Sequence, residues 1–391
     1  MKKLLFILLI CLFCMSARAN DTSGTVLPTG GVVFEKQDGI KMKTEALYIR
    51  PGQIEVNYLF ENTTDKDITT QVFFPLPQMP AVETFPQGDL AHDYEFKLWV
   101  NDKPVKYEKN WTILSGETDI TALVPVLFYT EEEIISEAEL ARRVEMLQPK
   151  ERQPFIDKNI LKYGWILDPV RGEVQAWEMT DAWQKQLSYS WQQTFPAGKT
   201  VSVRHTYVPT AMTTNVGTPF SKCIDEDSQK YQDFVFIPKK ERTYSWQHLD
   251  AQDYVEYILT TANNWQGSIE NFNLLVESPL KSVGCFDGEA FYGGPYFAVN
   301  RQKYTPEWDI SVDFIAKGSI ARPYRPRSEP VLYRVDGPAN VRKEPNGEVV
   351  GEMKNDTYVW VWPGEKQGNW YPVLQNNLQG YTHKQNLIKV F

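Results

Sequence analysis

Histidine is scarce in this chain. There are four in 391 residues, His92, His205, His248 and His383, far apart in sequence and with no HExxH or CxxC grouping. A transition-metal site needs several nitrogen or sulfur ligands at set spacings, so the pattern excludes a dedicated one, and neither a metal nor another cofactor is expected. Also missing are a GxSxG elbow, a Walker-type glycine loop and a GxGxxG after a strand, the local signatures of serine hydrolases, phosphate-loop enzymes and dinucleotide binding. No catalytic motif is left, and no enzyme is expected. Long apolar runs are absent too: the stretch from Leu4 to Cys14 falls well short of the roughly 20 residues that span a bilayer.

That short run has a different reading. Met1, Lys2 and Lys3 precede it and Ala17-Arg18-Ala19 follows, the charged, apolar and small-residue order of a secretory signal peptide. Cleavage is predicted after Ala19, giving a leader over residues 1–19 and a periplasmic or secreted protein with no stable membrane insertion once the leader is gone. Loss of Lys2, Lys3 and Arg18 takes the formal net charge from −9 to −12. So acidic a surface argues against nucleic acid or anionic lipid as the main partner.

Cysteine is equally rare, and Cys11 and Cys14 leave with the leader, so the mature chain keeps only Cys223 and Cys285. In an oxidising compartment an even pair is more often bridged than free, and a Cys223–Cys285 disulfide is predicted.

What the chain does have is aromatic, strand-forming sequence. In residues 187–209 Leu187, Tyr189, Trp191 and Phe195 alternate on one side of a period-two pattern. Val201, Val203, His205 and Tyr207 do so in the next run, and Pro196-Ala197-Gly198-Lys199 supplies turn chemistry between them. The pattern predicts a half-buried antiparallel hairpin. Ile54 to Phe60 and Ile68 to Phe74, either side of the polar cluster 62–67, predict a second. Asn101-Asp102 between two extended runs predicts a third. Three hairpins point to a β-sandwich. Residues 130–161 break the pattern: they contain no glycine, Thr130 precedes three glutamates, and Leu140, Val144 and Leu147 recur at helical spacing. One or two helices capped by Thr130 are predicted as an insertion. Further strands are expected around 254–261, 272–277 and 310–315.

Four stretches together carry a family resemblance: GGVVF, VNYLFENTTDKDITTQVFFPLP, WQQTFPAGKTVSVRHTYVP and YILTTANNWQGSIENFNLLVE. They resemble the uncharacterised secreted bacterial family known as domain of unknown function 4424, over about residues 20–321. That family has no established activity to carry over. A proline- and arginine-rich spacer at 322–330 reads as a semi-rigid linker. Beyond it, residues 331–391 resemble a bacterial SH3-like domain, a small β-barrel. The match runs through Ala339 to Pro345, Val359 and Val361, Trp370 to Val373, and Gly380-Tyr381, with Asp356 where the family usually has glycine. The fold class expected is therefore mainly β: a β-sandwich-rich domain with a helical insertion, then a small SH3-like barrel.

Candidate sites are few. His205 shares a face with Val203 and Tyr207 and is read as a core histidine. Asp225-Glu226-Asp227 is read as a solvated loop rather than a calcium site. Tyr358, Trp360 and Trp362 share one face of a strand whose other face bears Val359 and Val361. If the valines fill a small barrel, the rings stand outside, suited to stacking on a sugar or a peptide. With Tyr381 they are the candidate ligand-binding residues; the alternative is that they pack against the first domain. The expected function is non-catalytic binding of a cell-wall glycan or an envelope protein, with the SH3-like unit as recognition module. The alternative is an envelope glycan hydrolase using a carboxylate pair in the first domain.

Overall fold

The structure is a computed structural model that describes residues 20–26, 32–83, 94–130, 133–168, 170–209, 212–215, 221–225, 227–235, 251–279, 281–316 and 328–391. The predicted leader 1–19, most of the spacer (322–327), Glu131, Glu132, Glu226, His92 and His248 lie outside them. The chain is mainly β.

Two antiparallel-rich sheets face each other across one apolar core. The first runs, in spatial order, Thr118–Asp119, Glu108–Ser115, Trp183–Phe195, Ile68–Pro75, Thr22–Val26 and Val32–Glu35. The second runs Tyr296–Tyr304, Ile269–Glu277, Ile40–Arg50, Gln53–Asn62, Thr200–Tyr207, Lys97–Val100 and Lys103–Pro104. Val72, Phe74, Leu187, Tyr189, Trp191 and Phe195 from the first sheet meet Leu47, Ile49, Val56, Tyr58, Phe60, Val201 and Val203 from the second.

Here the structure corrects two of the three predicted hairpins. Trp183–Phe195 and Thr200–Tyr207 do not pair with each other. Trp183–Phe195 lies between Glu108–Ser115 and Ile68–Pro75, while Thr200–Tyr207 lies between Gln53–Asn62 and Lys97–Val100. The segment 196–199 is an arch from one sheet to the other, and residues 62–67 form a second arch between Gln53–Asn62 and Ile68–Pro75. Alternation is the same in a hairpin and in an arch, because both put every second side chain on the buried face. Asn62 holds the arches together. Fully buried, it donates to the Lys66 carbonyl at 2.7 Å and the Phe195 carbonyl at 2.8 Å, and its Oδ1 accepts from the Thr64 backbone at 2.9 Å. The third hairpin is present, with Lys97–Val100 paired to Lys103–Pro104 and Asn101 and Asp102 both at positive φ, as a two-residue primed turn requires.

The helical insertion holds two helices, Glu137–Met146 and Pro149–Asp157. The cap is Ser136 rather than Thr130: its side chain accepts from the Glu139 amide at 3.1 Å. Glu133 instead pairs with Arg143 at 2.7 Å. Leu140 and Val144 pack with Phe155, Leu161 and Trp183 in a second core. Among the described residues no helix is long and apolar enough to cross a membrane.

A third sheet, Met212–Asn215, Ala251–Tyr257, Ile310–Ala316, Lys281–Phe286 and Glu289–Gly293, closes the main core. Cys285 in this sheet is disulfide-bonded to Cys223, with Cα atoms 5.8 Å apart. Residues 331–391 form a further seven-stranded antiparallel sheet around their own core of Val335, Ala339, Val341, Met353, Val359, Val361 and Val373.

Candidate functional site

Val359 and Val361 fill the core of the C-terminal sheet, so Tyr358 and Trp360 face the other way, as period two requires. That other face is not solvent. Trp360 is 3% exposed and Trp362 5%, and with Tyr358 they pack against Ala46, Tyr48, Leu275 and Ala298 on the outer face of the second sheet. The Tyr48 and Trp360 ring centroids are 6.4 Å apart, those of Tyr296 and Trp362 5.1 Å. The expected open ligand face of Tyr358, Trp360 and Trp362 is thus corrected: it is a packing face. The cause is a matching apolar face, since Ala46, Tyr48 and Leu275 turn outward from strands whose Leu47, Ile49, Leu274 and Val276 already line the main core. Two such faces remove each other from water.

At the edge of this contact a groove of about 370 Å³ remains open. Its walls include Tyr296 of the second sheet and Trp362, Pro372 and Tyr381 of the C-terminal sheet, with Lys343 and Glu365 at the rim. The Tyr381 hydroxyl accepts from Gln367 Nε2 at 3.1 Å, and Glu365 accepts from Ser328 Oγ at 3.1 Å. Gly380 lets the groove floor approach the neighbouring strand, for a Cβ there would lie 2.4 Å from the Arg342 carbonyl oxygen. Of the four ring residues that the sequence nominates, Trp360 is buried and Tyr358 half-buried in the packing face, whereas Trp362 contributes a groove wall and Tyr381 a wall with a polar tip. Apolar rings flanked by one cation and one anion can stack on a sugar or apolar side chain while pairing charged groups beside it.

The second constellation is enclosed. Asn20, Asp21, Glu45 and His205 are all 0% exposed. Glu45 accepts from Asn20 Nδ2 at 3.0 and 3.2 Å and from the Tyr257 hydroxyl at 3.0 Å, and Tyr257 in turn meets Tyr58 at 2.8 Å. Asp21 Oδ1 lies 3.3 Å from His205 Nε2, at ion-pair distance but without hydrogen-bond alignment. Burial pushes the Glu45 carboxyl up to about 8, against the downward pull of the Asn20 and Tyr257 hydrogen bonds. Burial raises Asp21 as well, and His205 only partly offsets it. His205 is a core histidine, ringed by Tyr58, Phe74, Phe96 and Trp191.

Residues 19–312 match one protein family along most of this fold. The chain belongs to the family described as Domain of unknown function (DUF4424). No curated protein matches it. A candidate nutrient-binding protein from Legionella pneumophila is similar in structure, at 15% identity and a TM-score of 0.33, over 76% of this chain and 70% of that one. The DUF4424 segment contains the facing sheets, the helical insertion, the disulfide and the enclosed cluster. Of the groove it supplies Tyr296 alone; the remaining wall residues lie beyond residue 312.

Sequence reasoning missed Tyr296, Lys343 and Glu365, because nothing local marks a residue that meets its partners only when two sheets dock. It also missed Asn20, Asp21 and Glu45. A polar pair just ahead of the first strand reads as solvated, and only its burial in the tertiary structure reverses that. Among the described residues no group of three or more His, Cys, Asp or Glu sits together as a metal site would require.

Proposed function

We propose that this DUF4424 member is an exported, non-catalytic cell-envelope protein, periplasmic or secreted, whose C-terminal unit is SH3-like and serves as its recognition module. The groove between Tyr296, Trp362 and Tyr381 holds a cell-wall glycan or a segment of an envelope protein. The observation that carries the reading is this groove: three aromatic walls beside a lysine and a glutamate, on a contact that otherwise buries its apolar surface. The leader pattern at 1–19 and the Cys223–Cys285 bridge support export to an oxidising compartment.

The test is retention of the mature protein on purified peptidoglycan and on an envelope-protein extract. Lys343→Ala with Tyr381→Ala removes one charge and one ring from the open groove. Retention is expected to fall about tenfold or more, since a ring contact is worth about 0.5–1.5 kcal/mol beyond area burial and about 1.4 kcal/mol is a factor of ten. The melting temperature should be unchanged. Absence of retention on both materials, or retention indifferent to the double change, overturns the assignment.

One observation favours the alternative, a glycan hydrolase. A smaller cavity of about 140 Å³ beside the helical insertion is lined by Glu137 and Glu178 with Trp165, Leu140 and Met179. Two carboxylates across a cleft are the minimum for glycoside hydrolysis, although Glu178 also pairs with Lys162 at 3.4 Å. Release of reducing sugar from peptidoglycan, abolished by Glu178→Gln, would favour this reading over simple binding.

A further inference from the structure

The enclosed cluster is short of positive charge. Asp21 and Glu45 are both fully buried, and among the described residues no lysine or arginine pairs with either; His205 beside Asp21 is the one cationic candidate. Among the described residues no donor reaches Asn20 Oδ1 or Asp21 Oδ2 within hydrogen-bond geometry, and Asp21 Oδ1 has only His205 Nε2 at 3.3 Å. Isolated carboxylates cost several kcal/mol each to bury, so a fold that encloses them supplies a counter-charge or keeps them protonated.

The start of the mature chain is pinned at the same place. The Asn20 carbonyl accepts from the Thr261 hydroxyl at 3.0 Å, the Asp21 carbonyl from Trp265 Nε1 at 2.5 Å, and the Thr22 hydroxyl from Asn264 Nδ2 at 2.8 Å. The Asn20 side chain lies on Glu45 through both carboxylate oxygens, and the backbone nitrogen of Asn20 is only a few covalent bonds from that amide. The residue that the leader pattern makes the first of the mature chain is therefore held, fully buried, against a carboxyl group that has no cationic partner among the described residues.

We propose that Asn20 is the N-terminal residue of the working protein and that its α-ammonium is the cation paired with Glu45 in this pocket. The proposal rests on the export reading. A leader peptidase adds water across the Ala19–Asn20 bond. The hydroxyl goes to the Ala19 carbonyl carbon and a proton to the Asn20 nitrogen, which at neutral pH takes a further proton and becomes an ammonium. An uncut chain has an uncharged amide at that position. Processing and folding are thereby coupled, because the buried ion pair forms only after the cut.

The test uses the full mature chain. Intact mass of protein exported by a bacterial host carrying the complete gene should correspond to a start at Asn20. A chain that keeps its leader, or starts elsewhere, overturns the proposal together with the export reading. Next, residues 20–391 with a free N-terminus are compared with the same chain carrying a Gly-Ser extension, each with and without Glu45→Gln. The extension should lower the melting temperature by about 3 °C or more in the wild-type chain and by much less in the Glu45→Gln chain. An amine-reactive reagent should label the native Asn20 amine at least tenfold more slowly than the amine of the denatured chain. A correct start at Asn20, combined with a harmless extension or an amine that reacts equally fast in both states, overturns the seating of the ammonium while leaving export intact. The labelling arm needs no variant, so it decides even if Glu45→Gln fails to fold.

Discussion

Glu45 sits where one proton changes the balance of a core. Asp21 and Asn20 approach it from just ahead of the first strand, Tyr257 from the third sheet and Tyr58 from its own sheet, with His205 beyond Asp21. With an uncharged amide at Asn20, burial holds Glu45 protonated up to about 8, above the ordinary carboxyl value of 4.5. The folded state then binds the extra proton between those two values, so stability is greatest at the acid end and is lost as pH rises through that window. For the Gly-Ser-extended chain, the denaturation midpoint should therefore fall between pH 5 and pH 8. With a free Asn20 ammonium holding Glu45 ionised, the Glu45 share of that decline should be absent, leaving only that of Asp21, which burial also raises. Urea melts of the two chains across this range check the prediction, and parallel pH curves would contradict it.

At the scale of elements, the strand Tyr358–Val361 shows what alternation can and cannot say. Its valines and its aromatics sort onto opposite faces as the pattern requires, but both faces are buried, one by its own sheet and one by the second sheet. Trp360 is therefore structural. Trp360→Ala should cost about 3 kcal/mol or more, as truncation of a buried tryptophan does, seen as an early melting transition. Tyr381→Ala, on the groove wall, should leave the melting temperature unchanged. The arches make the same point. Leu187 to Phe195 and Val201 to Tyr207 alternate as predicted, and Trp191 and His205 meet across the core at 5.4 Å rather than along a shared ladder. Asn62 bridges the two arches, its amide and carbonyl oxygen bonding groups of both at once.

For the molecule as a whole, the bridge between Cys223 and Cys285 spans a sequence separation of 62 residues. It ties the segment before the helix Gln229–Val235 to the strand Lys281–Phe286. Closing a loop of that size is worth about 4 kcal/mol in the chain-entropy model. The double change Cys223→Ser with Cys285→Ser should shift the denaturant midpoint downward by a corresponding amount. An unchanged midpoint would mean that the packing of Ile224, Tyr231, Val283 and Ile315 suffices without the bond. The C-terminal sheet is joined to the rest by the shared aromatic cluster, by Arg50 to Glu329 at 2.9 Å and by the Asn300 amide to Asn376 Oδ1 at 2.9 Å.

The sequence by itself determined the β class, the faces of the strands that alternate clearly, the helical insertion, the cysteine pair and the family. Each of these rests on local chemistry or on a period that survives whatever the neighbours are: Val359 points away from Trp360 in any extended strand, and Asn101-Asp102 turns the chain wherever it lies. Tertiary structure alone decided which strands pair, which outward faces are covered and which polar residues are enclosed. Burial and pairing depend on partners brought from far along the chain, as Ala46 and Leu275 are brought to Trp360, and Asn20 to Glu45. The groove exists for the same reason: Tyr296 and Tyr381 become neighbours only after two sheets, each with an apolar outer face, have buried those faces against each other.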